Sequence, residues 1–516
     1  MNLASLLDLP SMIVPDEVAL IDTTDPAGAR EIAYGELRQA AGQVAGLLQS
    51  LGCQTGDRIG IFATNRPAVL EVMFGASALD MPIVPMNYRA GSEEAAHLLA
   101  DSGTKVLFAE RRYEELIDKV RPDSLEHVYM LDDPDSYDAA RDSADEYPLV
   151  DDVDDDGLST LLYTSGTTSL PKGVRLTHGA LTGYVMGTND AAENIGNGRM
   201  LLAAPLYHIA GLTSFLNALY SGRPTIVLSQ FEAGAWLAAV AEHEATHAFL
   251  VPTMVARVID HEDFASADLS SLQALTYGAA PMPPSVIRRA IEAFPKTINF
   301  SQAYGQTETT STVSVLDPDD HRLEGTPDEV ETKLRRLRSV GRVLDDVEVR
   351  IVDEAGEPVA PNVRGEVQLK TFRAMDGYWG NEEKTRVTID DEGWVHTGDL
   401  GYLDDEDYLF LEGRTGDMII RGGENVSPEE IEAVLYEHPD LLEAGVVGRP
   451  DETWGEVVVA AVVVKEGSPI GADDIVQHCR ERLAPFKRPD TVLVVDELPR
   501  TSTGKLLRRN LLPLFE

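Results

Sequence analysis

The stretch 57–87, "DRIGIFATNRPAVLEVMFGASALDMPIVPMN", constrains the fold more than any other. An apolar run of strand length is followed by a Pro-started segment with helical spacing and a second apolar run. That order predicts a strand, a helix and a parallel strand. A parallel pair needs a crossover connection, and the crossover helix covers one face of the sheet. The same rhythm returns in "ATHAFLVPTMVARVID" (245–260) and "SLQALTYGAAPMPPSVIRRAIEAF" (271–294), each read as strand, Pro or Gly turn, helix. "EIAYGELRQAAGQVAGLLQSLG" (31–52) reads as a strand edge and a helix stopped by Gly52. The fold class is therefore α/β.

With 516 residues the chain exceeds one ordinary core, which predicts two or three domains. From about residue 340 the pattern changes to short β-segments with turns, as in "VEVRIVDEAGEPVAPNVRGEVQLK". The last hundred or so residues read as a helix ("SPEEIEAVLYEHP"), two strands, a helix ("GADDIVQHCRERL") and a basic tail. This is a small α+β unit. The expected division is 1–413, a hinge at 414–417, and 418–516.

Several classes are excluded early. There are 87 acidic and 43 basic residues, a net charge of −44. Such a surface repels nucleic acid and anionic lipid. Only ten of the basic residues are lysine. An acidic, lysine-poor surface resembles proteins of salt-loving organisms, a clue to habitat rather than chemistry. The opening residues, "MNLASLLDLPSMIVPDE", lack a basic start before a long apolar run, so no secretory leader is expected. No apolar run reaches the roughly 18 residues of a membrane span. The longest, "VVVAAVVV" at 457–464, reads as a buried strand. A cytoplasmic protein is expected. Cys53 and Cys479 are the only cysteines and read as inert thiols, not as a disulfide framework or zinc site.

The chemistry first shows in "YTSGTTSLPKGV" (163–174), delivered by a short strand, "LSTLLYT". Small residues let a loop curl until its backbone N–H groups meet phosphate oxygens. Ser and Thr add neutral donors or ligate magnesium, and one lysine adds charge. It is not a Walker A loop, because Lys172 precedes Gly173 instead of being followed by Ser or Thr. A flexible surface turn is the plainer alternative.

Four further segments follow in order: "YGQTE" (304–308), "HTGDLG" (396–401), "GRTGDMIIRGGENVSPEEIE" (413–432) and "PRTSTGK" (499–505). Together with the loop they resemble the adenylate-forming superfamily: acyl-CoA synthetases, firefly luciferase and peptide-synthetase adenylation domains. The resemblance covers nearly the whole chain. It implies a large N-terminal α/β domain with a small β-rich subdomain, and a mobile α+β C-terminal domain.

Residue by residue, the resemblance implies that Thr164, Ser165, Gly166, Thr167, Thr168 and Lys172 hold the ATP phosphates. Gly278, Ala279 and Ala280 would lie beside adenine, with Tyr304 stacked on it and Gly305 following. Thr307 would meet the α-phosphate. Glu308 and Thr164 would hold magnesium, a hard cation that takes oxygen ligands. Asp399 would accept from both ribose hydroxyls, and Arg414 would reach the ribose. Outside these motifs Tyr304 would read as a core aromatic, Asp399 as a cap and Glu308 as a solvated acid.

The implied reaction joins a carboxylic acid to coenzyme A. The carboxylate attacks the α-phosphorus of ATP, giving acyl-AMP and pyrophosphate. A thiol then displaces AMP. The first step brings anions together, so magnesium and the ammonium of Lys505 would offset the repulsion. Lys505 lies beyond the hinge, so the small domain would swing between the two steps. The hinge position is usually Asp or Lys in the family and is Gly416 here; Ser169 stands where Gly is usual.

"RGGENVSPEEIE" is closer to acyl-CoA synthetases than to peptide adenylation domains. Arg421, Gly422, Gly423, Trp454 and Phe486 would meet CoA, and Lys487 and Arg488 its phosphates. Plain surface charge and partly buried aromatics are the alternatives. His208 in "PLYHIAGL" would line or gate the acid pocket, or be a structural histidine. "AYGQTETT" and "RLRSVGR" favour a fatty or other apolar acid, with an aromatic acid second. Loading of a separate carrier protein is the nearest rival activity. ATP, magnesium and CoA are the expected small molecules, and a homodimer is possible.

Overall fold

A computed structural model describes residues 1–25, 27–149, 154–164, 170–465, 467–500 and 506–515. The chain forms two compact units. The first comprises Met1–Ala279, Pro295–Val313 and Thr371–Val395; the second comprises Ala280–Phe294, Ser314–Lys370 and His396–Glu516. The expected hinge, 414–417, lies inside the second unit.

In the first unit, the strand Ile59–Phe62, the helix Pro67–Ser77 and the strand Ile83–Pro85 form the expected βαβ unit, with the strands parallel and Ile59 opposite Ile83. Pro67 opens its helix, where a missing N–H costs nothing. The sheet around it runs in the order Gly377–Tyr378, Lys172–Thr177, Leu158–Thr164, Ile83–Pro85, Ile59–Phe62, Val106–Ala109, His127–Met130. A second sheet carries Asn299–Gln306, Ala274–Gly278, His247–Leu250, Met200–Leu202, Thr225–Val227, Val18–Asp22 and Arg30–Ala33 in that order. The neighbours Ala274–Gly278 and Asn299–Gln306 are parallel, as crossover connections require. Helix Tyr34–Ser50 ends before Gly52, whose φ of 72° closes it in the left-handed region. Tyr34, Phe74, Phe108, Tyr137 and Phe215 are fully buried in the core of this unit.

The second unit carries two further sheets. One is antiparallel, ordered Glu348–Val352, Gly365–Lys370, Val395–Leu403, Leu409–Arg414. The other runs Glu424–Val426, Ile419–Arg421, Gly455–Val464, Leu441–Asp451, with Thr491–Val494 parallel to Gly455–Val464. The apolar run at 457–464 is the middle of this sheet, and Val458, Ala460 and Val462 are fully buried under helices Pro428–Leu435 and Ala472–Arg482. Cys479 sits in this core and Cys53 in that of the first unit. Burial raises both thiols, Cys479 to about 11, so neither is a thiolate at neutral pH. Among the described residues no helix is long and apolar enough to cross a membrane.

Candidate active site

The first unit contains the expected phosphate and metal groups. Thr164 ends one strand and Lys172 begins the next, and they face each other in the antiparallel register. They therefore mark the two mouths of the loop. Ser165, Gly166, Thr167, Thr168 and Ser169 lie outside the described residues.

Tyr304 and Gly305 end the strand Asn299–Gln306, and Thr307 and Glu308 follow in a single 3₁₀ turn. Tyr304 is half-buried rather than a core aromatic, while Thr307 is buried. Two glycines are demanded by close backbone approach. A Cβ on Gly305 would stand 1.7 Å from the Ser311 carbonyl oxygen, and one on Gly278 would stand 2.1 Å from that of Ala303. Ala279 turns the chain at φ 66°, a conformation disfavoured for a side-chain-bearing residue. Ala280 belongs to the second unit.

A segment that carried no chemical signal in the sequence holds the Glu308 turn. The Met375 N–H donates to the Glu308 carbonyl at 2.9 Å, and the Tyr378 hydroxyl donates to Glu308 Oε1 at 2.8 Å. Arg373 is 1 % exposed, and its Nη1 donates to the carbonyls of Thr310 and Thr312 at 3.3 and 3.2 Å. Those bonds hold a turn in which Thr310 and Ser311 both have positive φ, 50° and 76°. Lys172 Nζ lies 6.0 Å above the Tyr378 ring. Arg373 and Tyr378 reach the turn by non-local pairing, which no local pattern announces.

The magnesium reading fits this donor set. Among the described residues no group of three or more His, Cys, Asp or Glu could hold an ion by itself. Magnesium is ordinarily held by one or two carboxylates plus phosphate oxygens and water. Glu308 offers one such carboxylate, already oriented by a phenol.

His208 precedes the helix Ile209–Tyr220, and its Nδ1 accepts the Ala210 N–H at 3.2 Å. It thus has a structural role as the cap. Ala210 packs with Met254 and Ala279 against an apolar cluster of Met200, Ala204, Ala218, Phe249 and Val251.

In the second unit Asp399 lies within the strand Val395–Leu403, directly opposite Arg414, whose Nε donates to Asp399 Oδ1 at 2.8 Å. Asp399 is 5 % exposed. Arg421 donates to the carbonyls of Phe486 and Arg488 and pairs with Asp490 at 2.9 Å. Lys487 pairs with Glu430 at 2.6 Å, and Arg488 donates to the carbonyls of Leu483 and Arg480. Trp454 and Phe486 are 52 % and 36 % exposed, so neither is a core aromatic. Trp454 stands over Gly422, where a Cβ would come within 3.0 Å of the indole. Gly422 and Gly423 both have positive φ, 61° and 88°. Lys505 lies outside the described residues.

The chain belongs to the AMP-binding enzyme family: residues 13–379 match the AMP-binding enzyme model and residues 430–505 its C-terminal domain. It is similar to a feruloyl-CoA synthase of Amycolatopsis sp, 37 % identical over 93 % of each chain, and to an indoleacetate–CoA ligase of Aromatoleum aromaticum, 35 % identical over 92 % of each. It is also similar to the long-chain-fatty-acid–CoA ligase FadD13 of Mycobacterium tuberculosis, 33 % identical over 94 % of this chain and 93 % of that one. Among solved structures, ATP-bound MatB of Rhodopseudomonas palustris superposes with a TM-score of 0.87 at 28 % identity, covering 100 % of this chain and 99 % of the other. The protein is an enzyme of the acid–thiol ligase class, and ATP, CoA and magnesium are what that class uses.

Proposed function

We propose that the protein activates an apolar carboxylic acid with ATP and transfers the acyl group to coenzyme A. Lys172 and the loop before it bind the phosphates, Thr307 meets the α-phosphate, and Tyr304 stacks on adenine beside Gly278–Ala280. Asp399 accepts from the ribose hydroxyls, oriented by Arg414. Magnesium, bound at Glu308 and Thr164, supplies charge stabilisation for the attack at phosphorus. Lys505 carries a positive charge to the carboxylate and α-phosphate in this half-reaction and leaves for the second. The observation that carries the reading is the Glu308 turn: its carboxylate and Lys172 share one tyrosine, the arrangement expected of a metal–phosphate centre.

The hinge is assigned to 414–417, between an N-terminal domain of 1–413 and a C-terminal domain of 418–516. A Cβ at Gly416 would meet nothing within 4 Å, so packing does not require glycine there. Backbone freedom is the remaining reason for it.

An apolar acid is supported by the Met200–Val251 cluster, which joins the helix after His208 to the Ala279 segment. An aryl-bearing acid moves ahead of a fatty acid, because the relatives at 37 % and 35 % identity are named for feruloyl and indoleacetate chemistry. The test is ATP–pyrophosphate exchange over arylpropenoic, indolic and fatty acids in molar salt, followed by CoA. Exchange with an apolar acid and acyl-CoA formation are expected. Exchange without acyl-CoA would point to a carrier protein as acceptor. Absence of exchange with every acid would overturn the reading.

A further inference from the structure

We propose that Tyr378 is a positioning residue that orients the metal carboxylate through its hydroxyl and the phosphate lysine through its ring. The inference rests on the reading of Glu308 as a magnesium ligand and Lys172 as a phosphate group.

The backbone of Tyr378 belongs to the phosphate-loop strand. Tyr378 pairs with Val174 in the antiparallel register, and the Trp379 N–H donates to the Gly173 carbonyl at 2.8 Å. Asp376 pairs with Arg175 on the same strand, and its N–H donates to the Arg175 carbonyl at 3.0 Å. The Tyr378 N–H is held by Thr385 Oγ1 at 2.9 Å. The side chain is 7 % exposed and so has little freedom. Its hydroxyl ends on Glu308 Oε1 at 2.8 Å, while Lys172 Nζ stands 6.0 Å over its ring. One side chain is therefore hydrogen-bonded to one motif and lies beneath the ammonium of another, far away in sequence.

The chemistry explains why a tyrosine suits this place. A phenol donates to a carboxylate through a charge-assisted hydrogen bond, which fixes the carboxylate rotamer. Its ring face carries negative potential and attracts an ammonium without removing its charge. The hydroxyl and the ring thus address a carboxylate and an ammonium by two different interactions of one side chain. Among the described residues Lys172 and Glu308 form no ion pair, with each other or with a third group. Tyr378 gives each a weaker partner that phosphate and magnesium can outcompete.

The test uses the full-length protein and manganese as the probe. Free Mn²⁺ is followed by electron paramagnetic resonance in the presence of a non-hydrolysable ATP analogue. Binding of the analogue alone is measured by calorimetry in EDTA. Tyr378→Phe keeps the ring and removes the hydroxyl. It should weaken Mn²⁺ binding about tenfold, the usual size for an outer-sphere partner, and leave metal-free nucleotide binding unchanged. Tyr378→Leu removes the ring as well, so metal-free nucleotide binding should also fall, by about threefold. Glu308→Gln is the reference for the underlying reading. If Glu308→Gln leaves Mn²⁺ affinity untouched, the metal assignment falls and the inference with it. If Glu308→Gln weakens the metal but Tyr378→Phe does not, the assignment stands and the inference is overturned. A lowered melting temperature in the tyrosine variants with wild-type Mn²⁺ affinity would assign Tyr378 to packing and overturn it equally.

Discussion

The expected phosphate residues of the first unit and the expected CoA residues of the second treat their charges in opposite ways. Lys172 Nζ stands 6.0 Å over an aromatic ring, and Glu308 accepts from the phenol of that same ring. In the second unit Arg421 is tied to Asp490, Lys487 to Glu430, and Arg488 to two carbonyls. Among the aromatics expected to meet CoA, Trp454 is 52 % exposed, while Phe486 carries the Lys487 ammonium 5.5 Å over its ring. A cation that sits in a motif is thus not by that fact a ligand-binding cation; its existing partners decide. The second unit is better prepared to receive a base by stacking than a phosphate by charge.

The largest expected effect tests the structural side of this contrast. Arg508, 14 % exposed, reaches from the tail to the helix Pro428–Leu435, bonded to Glu429 at 2.7 Å, to Glu432 and to the Val446 carbonyl, with Asp417 at 3.4 Å. Burial pushes the Glu432 carboxyl up, and the guanidinium counters it. Arg508→Met would leave buried acid without its cation, a change that costs about 3–5 kcal/mol. Denaturant unfolding should show that loss, and Glu432→Gln in the same chain should restore part of it. A loss below about 1 kcal/mol would mean the cluster is solvated and the contrast false.

Next in size is Lys505→Ala, the cation of the second unit assigned to chemistry rather than structure. Pyrophosphate release should fall on the order of 10²–10³-fold, as for one positioned electrostatic donor. Thioester formation from supplied acyl-adenylate should persist. Equal losses in both half-reactions of a folded variant would rule out domain alternation.

The same contrast shows what was legible in the sequence. The βαβ unit at 57–87 was readable because Pro67, the apolar runs and the helical spacing are local. The strand at 455–464 was readable because a run of β-branched residues has few other uses. The motif residues were found by family resemblance, and the geometry then explains some of them: Gly305 and Gly278 are required by carbonyls that approach from elsewhere in the fold. Arg373, Met375 and Tyr378 were not legible. Their roles depend on a strand of two residues, Gly377–Tyr378, pairing with a strand far earlier in the chain. Whether Arg421 and Lys487 were engaged was equally invisible, since Asp490 and Glu430 look like any other acids in so acidic a chain. His208 was left open between pocket and structure, and its cap on Ala210 supplies the structural half.

A middle-sized effect sharpens the CoA side. Trp454→Ala should raise KM for CoA about tenfold, within the range for loss of one stacked base, and leave pyrophosphate exchange unchanged. Arg421→Met should instead lower stability by about 1–3 kcal/mol, because Asp490 and two carbonyls lose their donor. If Arg421→Met raises KM for CoA while Trp454→Ala does not, charge and not stacking recognises the nucleotide.

The smallest effect concerns groups that burial keeps uncharged, and it compares the two units directly. Burial lowers His247 of the first unit to about 4 and His321 of the second to about 4, the latter with its Nδ1 at 2.8 Å from the Asp317 carbonyl oxygen. The native imidazoles stay neutral down to that pH, whereas unfolded histidine takes a proton near 6.5. Below about pH 6.5 the unfolded chain therefore binds protons that the native chain refuses, and stability is lost as pH falls toward about 4. For the more deeply buried His321 the loss at about pH 5.5 is on the order of 1 kcal/mol. Protonation of the acidic surface works the other way by relieving repulsion, but it sets in nearer the carboxylate range, around pH 4. In molar salt, His321→Gln should flatten the fall in stability between about pH 6.5 and 5, read by denaturant unfolding at each pH. His247→Gln should flatten it by a similar amount, since burial holds both imidazoles at about 4. An unchanged slope in His321→Gln would show that this imidazole is protonated in the native state and that water reaches it.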